Sequence, residues 1–168
     1  MVKTKRRKRS SSGPVFESLR VRGFARLQAG VRDSEDRLRI VGDSGWVRNT
    51  ITNDGRNSFI AAKVGSVSGS KTPLYLQLAT QSTAVDATQT TLVGETRIRK
   101  TLLASTIATG TLRMTASWSS TDNTAAVTIG SIGVHQTDTG GTLGSGQTFT
   151  TSQWNSNQDL SATYEWRF

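Results

Sequence analysis

The single histidine, His135, is the first residue to consider for acid–base chemistry. A nucleophilic triad needs a serine, a histidine and a carboxylate, and Ser131, Ser145 and Asp138 all lie close to His135 in the sequence. Neither serine stands in the Gly-x-Ser-x-Gly pattern that places a nucleophile on a sharp strand-to-helix turn. We therefore interpret His135 as a residue at the end of a strand, and predict no catalytic residue and no enzyme activity.

The residues that bind metals and phosphates are scarce or wrongly spaced. The absence of cysteine excludes Cys-ligated zinc and iron–sulfur sites, and one histidine excludes a multi-histidine centre within one chain. The glycine-rich run 140–146 lacks the Lys-Ser/Thr ending of a P-loop and is typical of a flexible loop. Asp33, Glu35 and Asp36 form a small acidic cluster flanked by Arg32, Arg37 and Arg39, which favours ion pairs over a bound cation. We predict no metal and no cofactor.

Positive charge is concentrated at the N-terminus. Residues 1–40 hold 12 cations and 4 acids, a net charge of +8, whereas residues 41–168 hold 9 cations and 8 acids, a net charge of +1. Six of the cations are Lys3, Lys5, Arg6, Arg7, Lys8 and Arg9. Such a block repels itself and buries nothing, which predicts a disordered or extended basic arm over residues 1–14. Nucleic acid and an acidic surface of a neighbouring protein subunit are the alternative partners of this arm, and a targeting signal and a solvated tail are the other interpretations.

Residues 15–44 form a second zone, in which arginines alternate with apolar residues. Helical spacing fits only in part, because Gly23 interrupts the apolar stripe, and strand-like alternation fits equally well. A helix and an extended arm therefore both remain open. Arginine is favoured in protein interfaces, so this arm or linker segment is a candidate to dock on a neighbour. The candidate subunit-interface residues are Arg20, Arg22, Phe24 and Arg26.

The body, residues 45–168, has a period of two over most of its length. The predicted strands are 46–51, 74–78, 97–107, 112–118, 126–134, 147–151 and 160–168. Residues 56–64 predict one or two helical turns, residues 79–91 predict a loop, and Gly130 and Gly133 are expected to mark bulges. Short strands linked by Gly/Ser/Thr turns favour an all-β fold, an antiparallel β-sandwich of jelly-roll-like or Ig-like type. No apolar run approaches the length of a membrane span.

The four tryptophans divide into two groups. Trp46, Trp118 and Trp166 lie in strand-like contexts and are predicted to be in the core. Trp154 lies in a polar stretch, so it is a candidate to be exposed at an interface or to stack on a glycan. The alternative for Trp154 is a side chain that folds back and caps the sandwich.

The body carries a series of short motifs in a fixed order. They are WVRNTITNDG at 46–55, LQLA at 76–79, DATQTTLVGE at 86–95, IGV at 132–134, QTF at 147–149 and LSATYEWRF at 160–168. This order resembles small β-sandwich virion proteins of tailed bacteriophages. The resemblance covers residues 46–168 and implies a structural virion component without saying which one. The basic arm resembles instead the internal arms of small icosahedral virus coat proteins, which neutralise packaged genome.

Together these features predict a non-enzymatic virion structural protein, capsid-associated as a coat or decoration (cement) subunit. It would oligomerise through its β body and use the basic arm to bind nucleic acid or a neighbouring subunit. The alternatives are a tail, connector or receptor-binding virion protein, and a non-specific nucleic-acid-binding protein. The expected partners are other virion proteins, further copies of this chain and genomic nucleic acid, with no membrane. The expected location is the virion, assembled in the host cytoplasm.

Overall fold

A computed structural model of the chain describes residues 20–96 and 99–168. The described chain is almost entirely antiparallel β structure. Its strands are β1 (Arg22–Arg32), β2 (Leu38–Asp43), β3 (Val47–Ile51), β4 (Tyr75–Ala79), β5 (Lys100–Thr101), β6 (Leu103–Ala108), β7 (Thr111–Trp118), β8 (Val127–His135), β9 (Leu143–Trp154) and β10 (Asp159–Arg167). The helical elements are a π-helical segment (Gly55–Ala61), an α-helical turn (Ala62–Val64) and a 3₁₀ turn (Ser120–Asp122). The all-β antiparallel prediction is confirmed.

The strands form one sheet that nearly closes into a barrel. The order of the paired strands is β5-β4-β8-β9-β3-β1-β10-β7-β6, and β2 pairs with β1 beside this path. The two ends of the order, β5 and β6, are separated along the chain only by Leu102. One stretch of chain therefore pairs with β4 through its first residues and with β7 through the rest. The jelly-roll-like or Ig-like form of the sandwich stays a prediction.

The question left open for residues 15–44 is resolved over the part that the structure describes. β1 is an extended strand of the chain's own sheet, paired along one edge with β10 and along the other with β3 and then β2. Gly23, which interrupts the helical stripe, lies opposite Asn49 of β3. A Cβ at Gly23 would stand 1.7 Å from the Asn49 side-chain oxygen, so glycine is needed for β1 and β3 to pair with Asn49 pointing inward.

The main core fills the inside of the barrel. Its largest fully buried side chains include Trp118, Trp166 and Tyr164. The Trp166 ring packs edge-on against Phe59, with ring centroids 6.2 Å apart, which ties the helical segment to the core. Trp46 is 42% exposed, so its prediction as a core residue is wrong. The cause is its position in the break between β2 and β3, next to the positive φ of Gly45, where the strand alternation is interrupted.

The helical turns predicted at 56–64 are confirmed, but the glycine-rich run 140–146 is only in part a loop. β9 begins at Leu143, so Gly144 and Gly146 are strand residues, and the prediction of a loop is wrong for them. Both glycines lie under covering elements. A Cβ at Gly144 would stand 3.4 Å from the Phe59 ring, and one at Gly146 would stand 3.0 Å from a Val85 methyl group.

Residues 80–96 cover the outer face of β4, β8 and β9. The carboxamides of Gln81 and Gln89 hydrogen-bond to each other, with Gln89 Nε2 donating to Gln81 Oε1 at 2.6 Å. The Gln81 Oε1 atom also accepts from the backbone N–H of Val93 at 2.9 Å. Beneath this cover lies a second apolar cluster, composed of Ala79, Val85, Leu92 and Leu143. The sheet is therefore buried on both faces in this half of the barrel.

Candidate functional site

Four arginines line one groove at the end of the sheet where β1 begins. They are Arg20, Arg22, Arg48 and Arg56, and the groove has a volume of about 820 Å³. Its other wall is apolar and includes Val21, Ile60, Ala61 and Val64. We call this feature the arginine groove. It combines two interface residues that the sequence predicts, Arg20 and Arg22, with two that it does not.

Local structure explains how these side chains meet. The β1–β3 register sets Phe24 opposite Arg48, so Arg22 and Arg48 both alternate onto the outer face. Arg56 comes from the helical segment, whose start is held by Thr52. The Thr52 hydroxyl accepts from the backbone N–H of Gly55 at 3.0 Å and contacts the Leu143 and Gly144 carbonyls. The groove therefore has walls from separate elements of the same rigid sheet.

The arginine groove carries positive charge that no acid of the described residues neutralises. Within residues 20–96 and 99–168, no carboxylate forms a salt bridge with Arg20, Arg22, Arg48 or Arg56, and all four side chains belong to exposed residues. Guanidinium groups donate paired N–H bonds to phosphates and carboxylates. The groove is therefore suited to an anionic ligand.

Phe24 and Arg26, the other two predicted interface residues of β1, lie on the outer face beside the groove. The Arg26 guanidinium hydrogen-bonds to Asp43, with Nε donating to Oδ1 at 2.9 Å. This contact, more than any other, lowers the pKa of Asp43 to about 2. The Phe24 ring lies 4.3 Å from the guanidinium carbon of Arg167, in a cation–π arrangement. Both residues are thus engaged within their own chain.

No protein-family model, curated protein or solved structure matches the chain. The resemblance to phage virion proteins therefore rests on the sequence motifs. No helix in the described part of the chain is long and apolar enough to cross a membrane. Residues 20–96 and 99–168 also contain no group of three or more potential metal-ligating side chains.

The predicted binding residues of the basic arm are outside the described residues. They are Lys3, Lys5, Arg6, Arg7, Lys8 and Arg9, and their role stays a prediction. The described chain starts at Arg20, on the arginine groove itself. The groove is thus the part of the structure nearest in sequence to the arm.

Trp154 is not an exposed residue of a polar loop. It ends β9 and is 1% exposed, so its prediction as an interface or glycan-stacking residue is wrong. Its indole Nε1 donates to the Gln158 carbonyl at 2.7 Å, and its own carbonyl accepts from Asn123 Nδ2 at 2.8 Å. These bonds satisfy the polar atoms of a tryptophan that packs in the main core, as in the capping alternative.

His135 is fully buried beneath the cover at the end of β8. Burial, with a smaller contribution from the charge of Arg99, lowers the pKa of His135 to about 3. Its ring nitrogens have no hydrogen-bond partner in the described structure. The Ser131 hydroxyl donates instead to the Ala79 carbonyl at 3.3 Å, and Ser145 Oγ accepts from Trp166 Nε1 at 3.0 Å. The hydrogen bonds of a triad are not formed.

Three strands, β2, β5 and β6, pair along only one edge in the described structure, and β5 is only two residues long. β6 has all six residues exposed, and two of its apolar side chains, Leu103 and Ile107, are 77% and 44% exposed. β2 is also exposed throughout and pairs only with β1. An unpaired edge presents a row of N–H and C=O groups that can pair with another strand.

Sequence reasoning missed Arg48, Arg56 and the exposed edges for a common reason. Arg48 is visible in the alternating run 46–51 as an outward residue, which is a weak local signal. Its proximity to Arg22 depends on the pairing of β1 with β3, and the proximity of Arg56 depends on how the helical segment packs on β9. Contacts of this kind are absent from the local pattern.

Proposed function

We propose that this chain is a non-enzymatic structural protein of a virion, a coat or decoration subunit that assembles with copies of itself through its β body. On this proposal the nearly closed barrel serves as the β-sandwich body that the resemblance implies. Residues 1–14 serve as the basic arm, which contacts genomic nucleic acid or a neighbouring subunit. The protein is assembled in the host cytoplasm and resides in the virion with other virion proteins.

The observation that carries this proposal is the exposed edge of β6. Natural sheet proteins block their edges with lysine, proline, a covering segment or a bulge. Residues 101–109 contain no charged residue and no proline, and the only register shift in β6 falls near its end, between Thr106 and Ala108. The regular part of the edge is therefore open to another strand.

A second copy of the chain is the partner that suits this edge. Two β6 strands related by a twofold axis would pair antiparallel and extend the sheet from one copy into the next. Neither strand carries a charge, so the pairing brings no like charges together. The exposed Leu103 and Ile107 side chains would gain apolar contacts with the neighbouring copy across the new strand pair. Residues 20–168, which include β1 and β2, hold 15 cations and 11 acids, a net charge of +4, so repulsion between copies of the body is weaker than the full net charge of +9 implies.

The test is the oligomeric state of the full chain by analytical ultracentrifugation between low and high micromolar concentration. We expect oligomers for the unmodified chain and a shift to monomer for the double variant Leu103→Lys, Ile107→Lys. The matched control is Val67→Lys, Val93→Lys, which places two lysines at exposed apolar residues of loops. The control should assemble like the unmodified chain. A monomer without any substitution, or unchanged oligomers of the β6 variant, would overturn assembly through β6.

Electron microscopy of the same samples, with and without nucleic acid, tests the virion role. Closed shells would support a coat subunit, with the basic arm on the packaged genome. Small discrete oligomers that nucleic acid leaves unchanged would support a decoration subunit that docks on a larger capsid. Irregular aggregates with no repeating unit would contradict a structural virion role.

A further inference from the structure

We propose that the arginine groove is a binding site for the phosphodiester backbone of nucleic acid, which it holds without reading the base sequence. This inference concerns residues of the folded body and does not depend on assembly through β6. It adds a fixed site to the binding role that the sequence predicts for the arm.

The first argument is the state of the four guanidinium groups. Most other arginines of the described sheet have an acidic partner: Arg26 contacts Asp43, Arg32 contacts Asp159, and Arg113 contacts Glu165. The groove arginines have none among the described residues. Bringing four cations together without an acid is unfavourable for the free protein, and a bound anion removes that repulsion. A ligand with several negative charges is therefore favoured over a single small anion.

The second argument is that the arginines come from elements fixed in relation to one another. Arg22 belongs to β1 and Arg48 to β3, which are paired, and Arg56 lies one residue after Gly55, which packs directly on β9. A Cβ at Gly55 would stand 1.8 Å from the Gly144 carbonyl oxygen, so the helical segment touches the β9 backbone there. A site built on paired strands and a packed turn loses little conformational freedom when it binds.

The third argument favours a long, evenly charged polymer over an acidic peptide. Arg20 and Arg22 of the groove follow the six cations of residues 3–9 in the sequence, with Glu17 as the one acid between. The groove holds four cations, and the sequence has six more over residues 3–9. Nucleic acid presents a phosphate at every nucleotide and can engage all of them.

The composition of the groove also predicts a lack of base recognition. Its described lining contains no aromatic residue on which a base could stack, and no Asn or Gln. Stacking platforms and amide side chains are the usual means of reading single-stranded bases. The apolar wall formed by Val21, Ile60 and Val64 can contact sugar carbons of any nucleotide.

The test is fluorescence anisotropy with the full chain and labelled 20-nucleotide probes, one single-stranded and one duplex, over a range of salt concentrations. The groove variant is Arg48→Gln, Arg56→Gln. The control is Arg37→Gln, Arg39→Gln, which removes two positive charges at exposed residues by the turn between β1 and β2, where Arg37, unlike the groove arginines, is paired with Asp33 and Glu35. At physiological salt we expect the groove variant to bind about tenfold more weakly and the control to change less than about twofold.

The salt dependence gives a second measurement. Removal of two phosphate contacts should lower the slope of log affinity against log salt by about 1.4 for the single strand or about 1.8 for the duplex. The control slope should stay unchanged. Comparison of the two probes identifies which form of the backbone the groove holds, and probes of different base sequence should bind alike.

Three results would overturn the proposal. Equal weakening by both double variants would mean that binding follows net charge and the arm alone. Unchanged binding by the groove variant would exclude the groove as the site. A poly-glutamate peptide that binds the unmodified chain more tightly than the nucleic-acid probes would indicate a protein partner instead. Thermal unfolding of both variants serves as the folding control, since all four substituted residues are exposed.

Discussion

The two outer faces of the barrel belong to the same sheet and enclose the same main core, but one is covered by a further layer of chain and the other is exposed in the described structure. The face over β4, β8 and β9 is covered by residues 80–96 and contains a second apolar cluster. The face over β1, β10 and β7 has no such cover in the described structure and carries the side chains of Arg26, Thr163 and Thr115, which the pairing registers place in one row. We call these the covered face and the bare face.

The residues that point outward account for the difference. On the covered face they include Gly133, Ser131 and Ala79, which leave room for another layer of chain. On the bare face they include threonine, arginine and glutamate, whose polar and charged groups are compatible with exposure to water. Small residues on the outside of a strand therefore indicate that the chain covers itself there, whereas charged ones mark a surface available to a partner.

The largest expected effect is at a covered glycine. A Cβ at Gly130 would stand 2.7 Å and 2.8 Å from the backbone carbonyl oxygens of Gln81 and Thr80, so Gly130→Val must displace the cover's backbone. We expect it to lower the free energy of unfolding by about 2–3 kcal/mol. The control on the bare face is Ser117→Val, at an exposed position of β7, with an expected change within about 0.5 kcal/mol. Urea denaturation measures both. If Gly130→Val lowered the free energy of unfolding as little as the control does, the cover would not be in close contact with the sheet at Gly130.

These glycines also define what the sequence could predict. The strands from β7 to β10 follow from a period of two, which is a local property, and the register does shift at Gly130 as a bulge predicts. Gly133 lies in regular pairing and marks no bulge. Glycine is needed there because a Cβ would stand 2.6 Å from a Leu143 methyl group and 3.0 Å from a Leu92 methyl group. The loop that covers Gly133 lies about 40 residues away in the sequence, and a contact of that kind produces no periodic pattern around the glycine. The groove was equally hidden, because Arg22 and Arg56 meet only through long-range pairing.

The second prediction concerns His135, which the covered face excludes from water. Since its pKa falls from an ordinary 6.5 to about 3, the unfolded chain binds a proton between these values that the folded chain does not. The free energy of unfolding should therefore decrease as the pH falls below 6.5, by about 2 kcal/mol between pH 6.5 and pH 5. Urea denaturation at several pH values measures this slope.

The matched variant for this prediction is His135→Gln, which removes the only imidazole in the chain. Its stability should change little between pH 6.5 and pH 5, because the bare-face carboxylates Asp43 and Glu165 have lowered pKa values and titrate below that range. Burial alone would raise the pKa of Glu165, but hydrogen bonds from Arg113 and Arg167 outweigh it. An equally steep slope in His135→Gln would show that another group controls acid stability.

The smallest expected effect is a difference in stability between two variants, each of which breaks one ion pair, beside the covered face or on the bare face. Beside the covered face, the buried partner is the cation: the Arg99 side chain is 1% exposed, whereas that of Glu95 is 36% exposed. On the bare face the buried partner is the acid, because the Glu165 side chain is 3% exposed and that of Arg113 is 38% exposed. Truncating an ion pair is most harmful when the charge left behind is buried.

Glu95→Gln should therefore destabilise the protein more than Glu165→Gln does. The first leaves the Arg99 guanidinium buried with only the carbonyls of Thr137 and Gly140 as strong acceptors, at 2.9 Å and 2.7 Å. The second leaves arginines that water already reaches. We expect losses of about 2 kcal/mol and about 1 kcal/mol in the free energy of unfolding. The reverse order in urea denaturation at pH 7 would mean that the position of the remaining charge does not set the loss, and that the bare face depends on Glu165 for its structure.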